Sequence, residues 1–585
     1  MKLASVLTFY ATVSTAFLLP ERYFDIGVNK IRSLKVGELN FLHTTDTHGW
    51  LGSHLVQPDF DADWGDFISF VDLFKKNRLT NKQDLLVIDT GDKRDGNGLS
   101  DATSPSGIAT TALFNEQDYD LLTLGNHELY NPANTEVEYY STAMSHKFKN
   151  KYVCSNVDFV KEDGTIVPFG NKYLYLETPK NKIRILTLSF IFHFQKANQR
   201  ARVTSPIEEI MTRDWFKEML ERHPENELDM LLIFGHVPIT DHENHELEQV
   251  HEYLRKFYPN IIIQYFGGHS HIRDFVILDD KSSCLQSGRY SETVGFLSID
   301  NVKSEKPSFF RRYINFSKRS FKFHSHAKSL DTHKGKHVSS KVECLRKSLG
   351  LNKVIGFVSK TYYMAARQID SEENVYHMLV NKVLPRLKPD IDISSVSRFI
   401  TINTGAVRYD LFKGPFTKDS EYIVLPFPNK WLYLEVPLYL AMQVEEYLNH
   451  RPSIASLGPP QSFALSRPDS CPLVNDPSLS EGYVTRDDFG CNGDDTPRNS
   501  QNTYKIPSVV QLREILPSTQ PNDNVHFIFY SFVQSDIIQA LNSLLIENNI
   551  TDKAYDATDC KAYGGKSTQE LLRDYIHEST EGYLT

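Results

Sequence analysis

Five short apolar segments in the first half of the chain are each followed by side chains that commonly bind metal ions. A single such residue has an ordinary explanation, because an aspartate after a strand often caps a helix. The same feature after five successive segments favours a metal centre. Carboxylate, imidazole and amide ligands together suit Zn, Mn or Fe. In chain order, the side chains are Asp46 and His48, then Asp92, then Asn126, His127 and Glu128, then His236, and finally His269 and His271.

The spacing within these groups fits shared metal ions. Residues i and i+2 of an extended chain point the same way, so Asp46 and His48 can bind one ion together. By the same spacing, His269 and His271 can reach two neighbouring ions. In α/β proteins, ligands collect beyond the carboxyl ends of the strands, and each of these groups comes just after an apolar segment.

The apolar segments are predicted strands, and helical patterns lie between them. Phe67, Val71 and Phe74 recur at helical spacing, and a second helical pattern covers residues 207–223. Strands that alternate with helices indicate an α/β domain with a largely central sheet. The predicted strands are Leu39–His43, Leu85–Ile88, Leu121–Leu124, Ile183–Leu188, Met230–Phe234 and Ile261–Phe266.

The motifs DxH, GDxxD, GNHE, GH and GHxH, in this order over most of residues 39–300, resemble those of the calcineurin-like metallophosphoesterases. The resemblance implies a four-layer α/β/β/α domain that binds two divalent metal ions. His127 would then face the substrate and steady or protonate the leaving oxygen, while Glu128 would hold the ring of His127. The implied ligands are Asp46, His48, Asp92 and His271 for one ion, and Asp92, Asn126, His236 and His269 for the other.

The loop that carries Asp92 departs from the nucleotidase branch of this family, because Lys93, Arg94 and Asp95 follow it. Lys93 and Arg94 could touch a phosphate, although a solvated loop edge is the simpler interpretation. Asp95 could instead assist the metal shell. Two divalent cations would outweigh the charges of Asp46 and Asp92, so the site would attract an anionic phosphoryl group.

Three segments of the second half resemble the C-terminal domain of the 5′-nucleotidases. INTGAVRYDLFKG from Ile402 resembles the family motif NGGGIR, and YIVLPFPNKW from Tyr422 resembles PFxN. DDFGCNGDDTPR from Asp487 resembles the family's F-x-x-x-G-G-D run.

These segments imply a nucleotide-binding role for the second domain. By the resemblance, Phe427 and Phe489 stack a nucleobase, and Asn403 and Asp495 contact base or sugar. Arg408 would contact the base-side or ribose region. The alternatives are core packing for the two phenylalanines and a surface ion pair for Arg408.

The chain is predicted to hold two α/β domains behind a signal peptide, the second domain being the smaller. Residues 1–19 combine a basic start with an apolar stretch, which is typical of a secretory signal peptide. An uncleaved membrane anchor is the alternative. The predicted metallophosphoesterase domain covers residues 35–323, a solvated linker covers residues 324–341, and the substrate-binding domain covers residues 342–585. The histidines of the linker could otherwise bind metal.

Further features fit a secretory route. Asn315 and Asn549 begin Asn-x-Ser/Thr triplets, which indicate glycosylation of a protein that enters that route. Among the six cysteines, Cys471 and Cys491 are the favoured disulfide pair because they share one polar, Gly/Pro-rich region. The mature protein is expected in the vacuole lumen or outside the cell, without a stable membrane span. Its oligomeric state stays open.

The net charge of −10 argues against binding of nucleic-acid polymers, which usually requires a basic face. The motifs together predict a phosphomonoesterase with two metal ions that hydrolyses nucleotides, with nucleoside 5′-monophosphates as the favoured substrates. Broader nucleotides, nucleotide sugars and cyclic nucleotides are alternatives. A non-catalytic lumenal nucleotide-binding protein and a phosphatase for proteins or other bulky esters are the other hypotheses.

Overall fold

The computed structural model describes residues 31–241, 244–390, 396–450, 493–496, 504–550 and 553–584. Its strands are β1 (Leu39–Thr44), β2 (Asp84–Asp89), β3 (Leu121–Leu122), β4 (Val157–Val160), β5 (Ile166–Pro168), β6 (Leu174–Glu177), β7 (Arg184–Ile191), β8 (Ala201–Val203), β9 (Met230–His236), β10 (Ile262–Gly267), β11 (Arg273–Asp279), β12 (Ser282–Ser287), β13 (Thr293–Asp300), β14 (Ser308–Asn315), β15 (Val354–Val358), β16 (Arg398–Asn403), β17 (Gly414–Thr417), β18 (Trp431–Pro437), β19 (Val509–Glu514), β20 (Asn524–Tyr530) and β21 (Lys561–Ala562).

The α-helices are α1 (Trp64–Arg78), α2 (Gly98–Asp101), α3 (Ile108–Phe114), α4 (Pro132–Val137), α5 (Pro206–Thr212), α6 (Asp214–Arg222), α7 (Glu246–Arg255), α8 (Lys318–Ser325), α9 (His333–Ser348), α10 (Val375–Met378), α11 (Lys418–Val424), α12 (Leu438–Asn449), α13 (Gln534–Glu547) and α14 (Thr568–Leu584). The six strands predicted in the first half are confirmed as β1, β2, β3, β7, β9 and β10.

Two sheets lie face to face in the first half, so the single central sheet expected from the element pattern is wrong. One sheet has the order β14-β13-β1-β2-β3, and the other has the order β11-β12-β10-β9-β7-β6. Side chains such as Phe41, Leu232 and Leu297 fill the space between them. Helices α1, α8 and α9 cover the first sheet, and α5, α6 and α7 cover the second. This arrangement confirms the four-layer α/β/β/α domain that the resemblance implied.

The parallel strands of both sheets end at one side of the domain. In the first sheet, β1, β2 and β3 are parallel neighbours. In the second sheet, β7, β9, β10 and β12 are parallel. Side chains that follow these strands therefore gather where the carboxyl ends of the two sheets meet.

The segment predicted as a solvated linker is largely folded onto the first domain. Residues 333–341 form the first part of α9, which is capped at its N-terminus by Thr332 and packs against α1. The two helices approach closely at Gly65 and Gly335, where an added Cβ would collide with the facing helix. Small residues make this contact, so the segment lacks the large apolar side chains that usually identify a packed helix. The domain boundaries themselves stay predictions.

The second domain is an α/β domain, as predicted. Its main sheet has the order β19-β16-β20-β18-β21, and α12 and α13 pack against it in one apolar core. The carboxylate of Asp419 at the start of α11 joins the second domain to the first. The Asp419 carboxylate accepts a hydrogen bond from Arg346 at 2.6 Å and another from the backbone N–H of Gly98 at 2.8 Å.

The structure bears on only some of the features that were predicted for a protein of the secretory route. The signal peptide and the Cys471–Cys491 pair lie outside the described residues, and Cys154, Cys284, Cys344 and Cys560 are free thiols. Asn315 is buried and donates to the carbonyl of Asp59, so the first glycosylation triplet is inaccessible in the fold. Asn549 is exposed. Across the described ranges, no helix has both the length and the apolar character that crossing a membrane requires.

Candidate active site

The predicted metal ligands converge beyond the carboxyl ends of the two sheets. Ligand atoms of Asp46, His48, Asp92 and His271 all lie within 4.8 Å of one another. Those of Asp92, His236 and His269 form a second group by the same measure. Asp92 belongs to both groups, which is the arrangement expected of two ions that share one carboxylate.

Left-handed backbone conformations turn these side chains into the site. Asp46, His48 and Asp92 have φ values of 50°, 45° and 58°, and His269 and His271 have φ values of 74° and 62°. Such conformations cost about 1–3 kcal/mol each in residues other than glycine, and they cluster at functional sites. The surrounding fold therefore stabilises a strained backbone at these five residues, which is typical of a functional site.

Several buried polar atoms at this site lack a hydrogen-bond partner within the described residues. They include Asn126 Oδ1, His269 Nδ1 and His271 Nδ1. Asp92 Oδ2 and His236 Nε2 are buried as well and lie 3.0 Å from each other. Buried polar atoms without partners are rare in native proteins. Their donor types fit two divalent cations, which would satisfy them by coordination.

The pKa values of three histidines favour the neutral ring that metal binding needs. Burial lowers the pKa of His48 and His271 well below the ordinary value, and the nearby charge of Arg408 lowers both further. Burial lowers the pKa of His269 to about 4, with a further lowering from His236. His236 differs, because the carboxylates of Asp92 and Asp46 outweigh its burial and raise its pKa to about 9.

His127 is oriented by Asp95, and the prediction that Glu128 holds its ring is wrong. Nδ1 of His127 lies 2.8 Å from Oδ2 of Asp95. Nε2 therefore faces the metal-binding side chains and lies 4.0 Å from Oδ2 of Asp92. The family resemblance implied the pairing with Glu128, but the Glu128 carboxylate binds backbone N–H groups instead.

Glu128 instead binds the backbone of two loops together. Its carboxylate accepts hydrogen bonds from the N–H groups of Asp92, Lys93 and Gly125. These bonds hold the loop after β2 against the loop after β3. Glu128 thus sets the positions of Asp92 and the neighbouring Asn126 through the main chain.

Lys93 and Arg94 are buried, so the predictions that they touch a phosphate or form a solvated loop edge are both wrong. Lys93 Nζ donates to the carboxylate of Glu138 and to the carbonyl of Thr123, each at 2.7 Å. Arg94 lies within 3.5 Å of Glu128 and 3.7 Å of Glu138. The two cations neutralise buried carboxylates behind the site and do not face a substrate.

Two of the substrate-binding candidates in the second domain lie beside the candidate active site of the first domain. The Phe427 ring lies 6.2 Å from the ring of His127, with nearly parallel planes. Nη2 of Arg408 lies 3.2 Å from both ring nitrogens of His48, and its guanidinium lies 5.7 Å from the Phe427 ring. Arg408 is buried, so it forms no surface ion pair, and its contact with the base-side or ribose region stays a prediction.

The remaining substrate-binding candidates are Asp495, Asn403 and Phe489, and no hydrogen bond or ring contact joins them to Phe427 within the described residues. Asp495 is fully buried, and its two oxygens accept from the N–H of Asn315 at 3.0 Å and face Nε2 of His324 at 2.9 Å. Its carboxylate is committed to the first domain, which corrects the predicted base or sugar contact. Asn403 ends β16 with its amide oxygen buried, and its role stays a prediction. Phe489 lies outside the described residues.

Aromatic residues without a motif also line the site. The Phe192 ring stacks on His269 at 4.1 Å, and the Tyr290 ring lies 5.3 Å from His48. Tyr290 also donates to the carbonyl of Arg408 at 3.2 Å and so connects the two domains. Phe192 directly follows β7, so the position after a parallel strand was an available signal. Tyr290 follows β12 by three residues and had no distinctive local pattern.

A buried Asp/His cluster able to hold two cations, placed beyond the carboxyl ends of two stacked sheets, defines a metallophosphoesterase-type protein. Residues 39–273 match the family model for calcineurin-like phosphoesterases, and residues 361–538 match the model for the C-terminal domain of NAD nucleotidase. The 5′-nucleotidase of Candida albicans has a crystal structure that aligns with a TM-score of 0.84 and 42% identity, covering 94% of this chain and 99% of that chain.

Two fungal relatives match along most of their length. An uncharacterized protein of Saccharomyces cerevisiae is 54% identical over 94% of this chain and 94% of its own length. A protein of Arthroderma benhamiae that is named a secreted protein is 33% identical over 93% of this chain and 90% of its own length. The chain belongs to the calcineurin-like phosphoesterases that carry a 5′-nucleotidase-type C-terminal domain, and it is a phosphoester hydrolase.

Proposed function

We propose that the protein uses two divalent metal ions to hydrolyse nucleotides, and that nucleoside 5′-monophosphates are its main substrates. The observation that carries this proposal is the approach of Phe427 and Arg408 from the second domain to His127 and His48 of the first. A phosphate at the metal centre would then have an aromatic ring and a guanidinium beside it. A nucleotide has a base that can stack on the ring and a phosphate that can bind the guanidinium.

The metal ions would be held as the family resemblance implies. Asp46, His48 and His271 would bind one ion, Asn126, His236 and His269 would bind the other, and Asp92 would bind both. Bound metal would supply charge stabilisation for the phosphoryl group and an activated water. The ion is Zn, Mn or Fe in this proposal, because the ligands mix imidazole with carboxylate and amide oxygen.

Side chains of this chain perform the other parts of the reaction. Hydrolysis forms a bond from a water oxygen to phosphorus and breaks the bond from phosphorus to the ester oxygen. Nε2 of His127 delivers a proton to that leaving oxygen, and Asp95 keeps the ring oriented through Nδ1. The guanidinium of Arg408 binds the charged phosphate oxygens, as arginine does with planar or tetrahedral oxyanions. The Phe427 ring stacks the base.

A second candidate is hydrolysis of larger nucleotides, including dinucleotides and nucleotide sugars. Residues 361–538 match the C-terminal domain of NAD nucleotidase, which favours testing such substrates. The proposal of a non-catalytic binding protein is less well supported, since six of the seven predicted metal ligands lie in two groups that could each hold a metal ion.

A substrate panel on the metal-loaded full chain tests the proposal. Nucleoside 5′-monophosphates should be hydrolysed with a higher kcat/KM than diphosphates, nucleotide sugars, cyclic nucleotides, NAD or a small phosphomonoester without a base. Removal of metal by a chelator should abolish hydrolysis, and added Mn²⁺ or Zn²⁺ should restore it. Equal activity on all phosphomonoesters would contradict a nucleotidase, and no activity on any of them would contradict a phosphomonoesterase.

We also propose that the protein enters the secretory route and acts in the vacuole lumen or outside the cell. The basic and apolar residues 1–19 and the Arthroderma benhamiae relative named a secreted protein support this proposal. Fractionation of cells that express the full chain, with N-terminal sequencing of the recovered protein, tests it. Recovery of the chain from the cytosol with residues 1–19 intact would contradict it.

A further inference from the structure

The side-chain amide of Asn126 is held in one orientation. Its Nδ2 donates to the hydroxyl of Tyr130 at 3.2 Å. Its Oδ1 is buried and has no hydrogen-bond partner within the residues that the structure describes. The oxygen carries the lone pairs that can coordinate a cation, whereas the NH₂ group is a donor only. The orientation of this amide therefore decides whether Asn126 can bind metal.

Tyr130 is well placed to keep that orientation. Its ring makes edge-to-face contacts with the rings of His127 at 5.1 Å and Phe194 at 5.2 Å. It also contacts Phe532 of the second domain, with the ring centroids 5.7 Å apart. Aromatic pairs at these separations and angles are attractive, so rings from both domains limit the movement of Tyr130. The hydroxyl is thereby held against the amide of Asn126.

We propose that Tyr130 is a positioning residue that keeps the amide oxygen of Asn126 directed at the second metal ion. The inference rests on the proposed metal centre, and it adds a residue that no predicted motif role includes. Groups that orient metal ligands through hydrogen bonds commonly change metal affinity or activity by about 10–100-fold when they are removed. Contact with Phe532 means that the second domain helps to hold this part of the metal centre in place.

The test is Mn²⁺ binding to the metal-stripped full chain, measured by equilibrium dialysis, for the wild type and Tyr130→Phe. The wild type should bind two ions. Tyr130→Phe keeps the ring and loses only the hydroxyl, so one of the two ions should bind about tenfold more weakly or worse. Tyr258→Phe is the matched control, because the Tyr258 hydroxyl donates to the carbonyl of His223, which is not a predicted ligand. Tyr258→Phe should bind both ions like the wild type.

A second pair of variants separates positioning from packing. In Asn126→Asp, a carboxylate replaces the amide and either oxygen can coordinate, so orientation by a hydrogen bond matters less. Tyr130→Phe should therefore change Mn²⁺ affinity much less in the Asn126→Asp background than in the wild type. The melting temperature of the metal-free Tyr130→Phe chain should fall no further than that of Tyr258→Phe.

The possible results distinguish this inference from the proposed function. Wild-type Mn²⁺ affinity in Tyr130→Phe would overturn the inference alone, and so would an equal loss of affinity in both backgrounds. A wild-type chain that binds no Mn²⁺ would overturn the metal centre and the inference together.

Discussion

The candidate metal ligands of the first domain and the predicted substrate-binding residues of the second domain differ in how they are placed in the fold. Each group of metal-ligand candidates ends a parallel strand or follows one within a few residues, and six of the seven candidate ligands fall into two groups that share Asp92. In the second domain, Phe427 and Arg408 lie beside the candidate active site, but Asp495 is bound to the first domain and Asn403 has no demonstrated role. Short motifs were equally available in both regions.

The difference shows that a motif predicts which side chains meet only when the motif directly follows a strand of a sheet, because the sheet then fixes where its backbone lies. The carboxyl ends of neighbouring parallel strands lie side by side, so residues after them must be close in space. Residues that do not closely follow a strand have no such constraint, and their partners are set by packing with distant parts of the chain. Asp495 illustrates this, because its carboxylate interacts with Asn315 and His324 at the end of β14 and in α8.

The largest expected effect is that of Asp92→Asn, which tests the shared ligand on which the metal-binding edge depends. Loss of the shared carboxylate should remove several kcal/mol of charge stabilisation, and each 1.4 kcal/mol corresponds to about tenfold in rate. We expect kcat for a nucleoside monophosphate to fall by about 10³-fold or more. Steady-state kinetics and metal analysis of the purified variant measure this. Near-normal turnover with two bound ions would contradict the role of Asp92.

The next effect compares His127→Ala, Asp95→Ala and Ser145→Ala. Loss of a general acid costs about 10²–10⁴-fold in rate. Asp95→Ala should produce part of that loss, at least about tenfold, because an imidazole without its orienting partner adopts unproductive orientations. Ser145 caps a turn away from the predicted ligands, so Ser145→Ala is the control and should keep wild-type kcat. An Asp95→Ala variant with wild-type kcat would show that the contact with Nδ1 is dispensable.

Smaller effects on KM and kcat/KM are expected for Phe427→Ala and Arg408→Ala, and they should differ between the two variants. Stacking of a base on an aromatic ring contributes about 1–3 kcal/mol, so Phe427→Ala should raise KM for nucleotides by about tenfold or more. It should leave the hydrolysis of a small phosphomonoester without a base unchanged. Arg408→Ala should lower kcat/KM for both substrates, because it removes a charged contact to phosphate. Equal losses on both substrates in Phe427→Ala would indicate a packing role for Phe427.

The smallest kinetic effect is expected for Asp495→Ala, although Asp495 belongs to a segment that was predicted to bind substrate. Removing a buried hydrogen-bonded carboxylate should lower the free energy of unfolding by about 1–3 kcal/mol. KM for nucleotides should stay unchanged, because both carboxylate oxygens already have partners in the first domain. Thermal unfolding together with initial rates measures both quantities. A large increase in KM without loss of stability would restore the predicted base or sugar contact.

The sequence alone determined the two α/β domains, the six strands of the first half and the ligands of the candidate metal centre. These features depend on periodicity and on residues that directly follow strands, which are local properties of the chain. The candidacy of Phe427 came from the resemblance of its segment to the PFxN motif, and its stacking role stays a prediction.

The tertiary structure decided which side chains become partners. It paired His127 with Asp95 across two loops, buried Lys93 and Arg94 against Glu138, and brought Arg408 to His48. It also folded α9 onto α1 through small residues that carry little hydrophobic signal. The physical reason is that hydrogen bonds and close packing depend on the distances between side chains, and only the assembled sheets and domains set those distances.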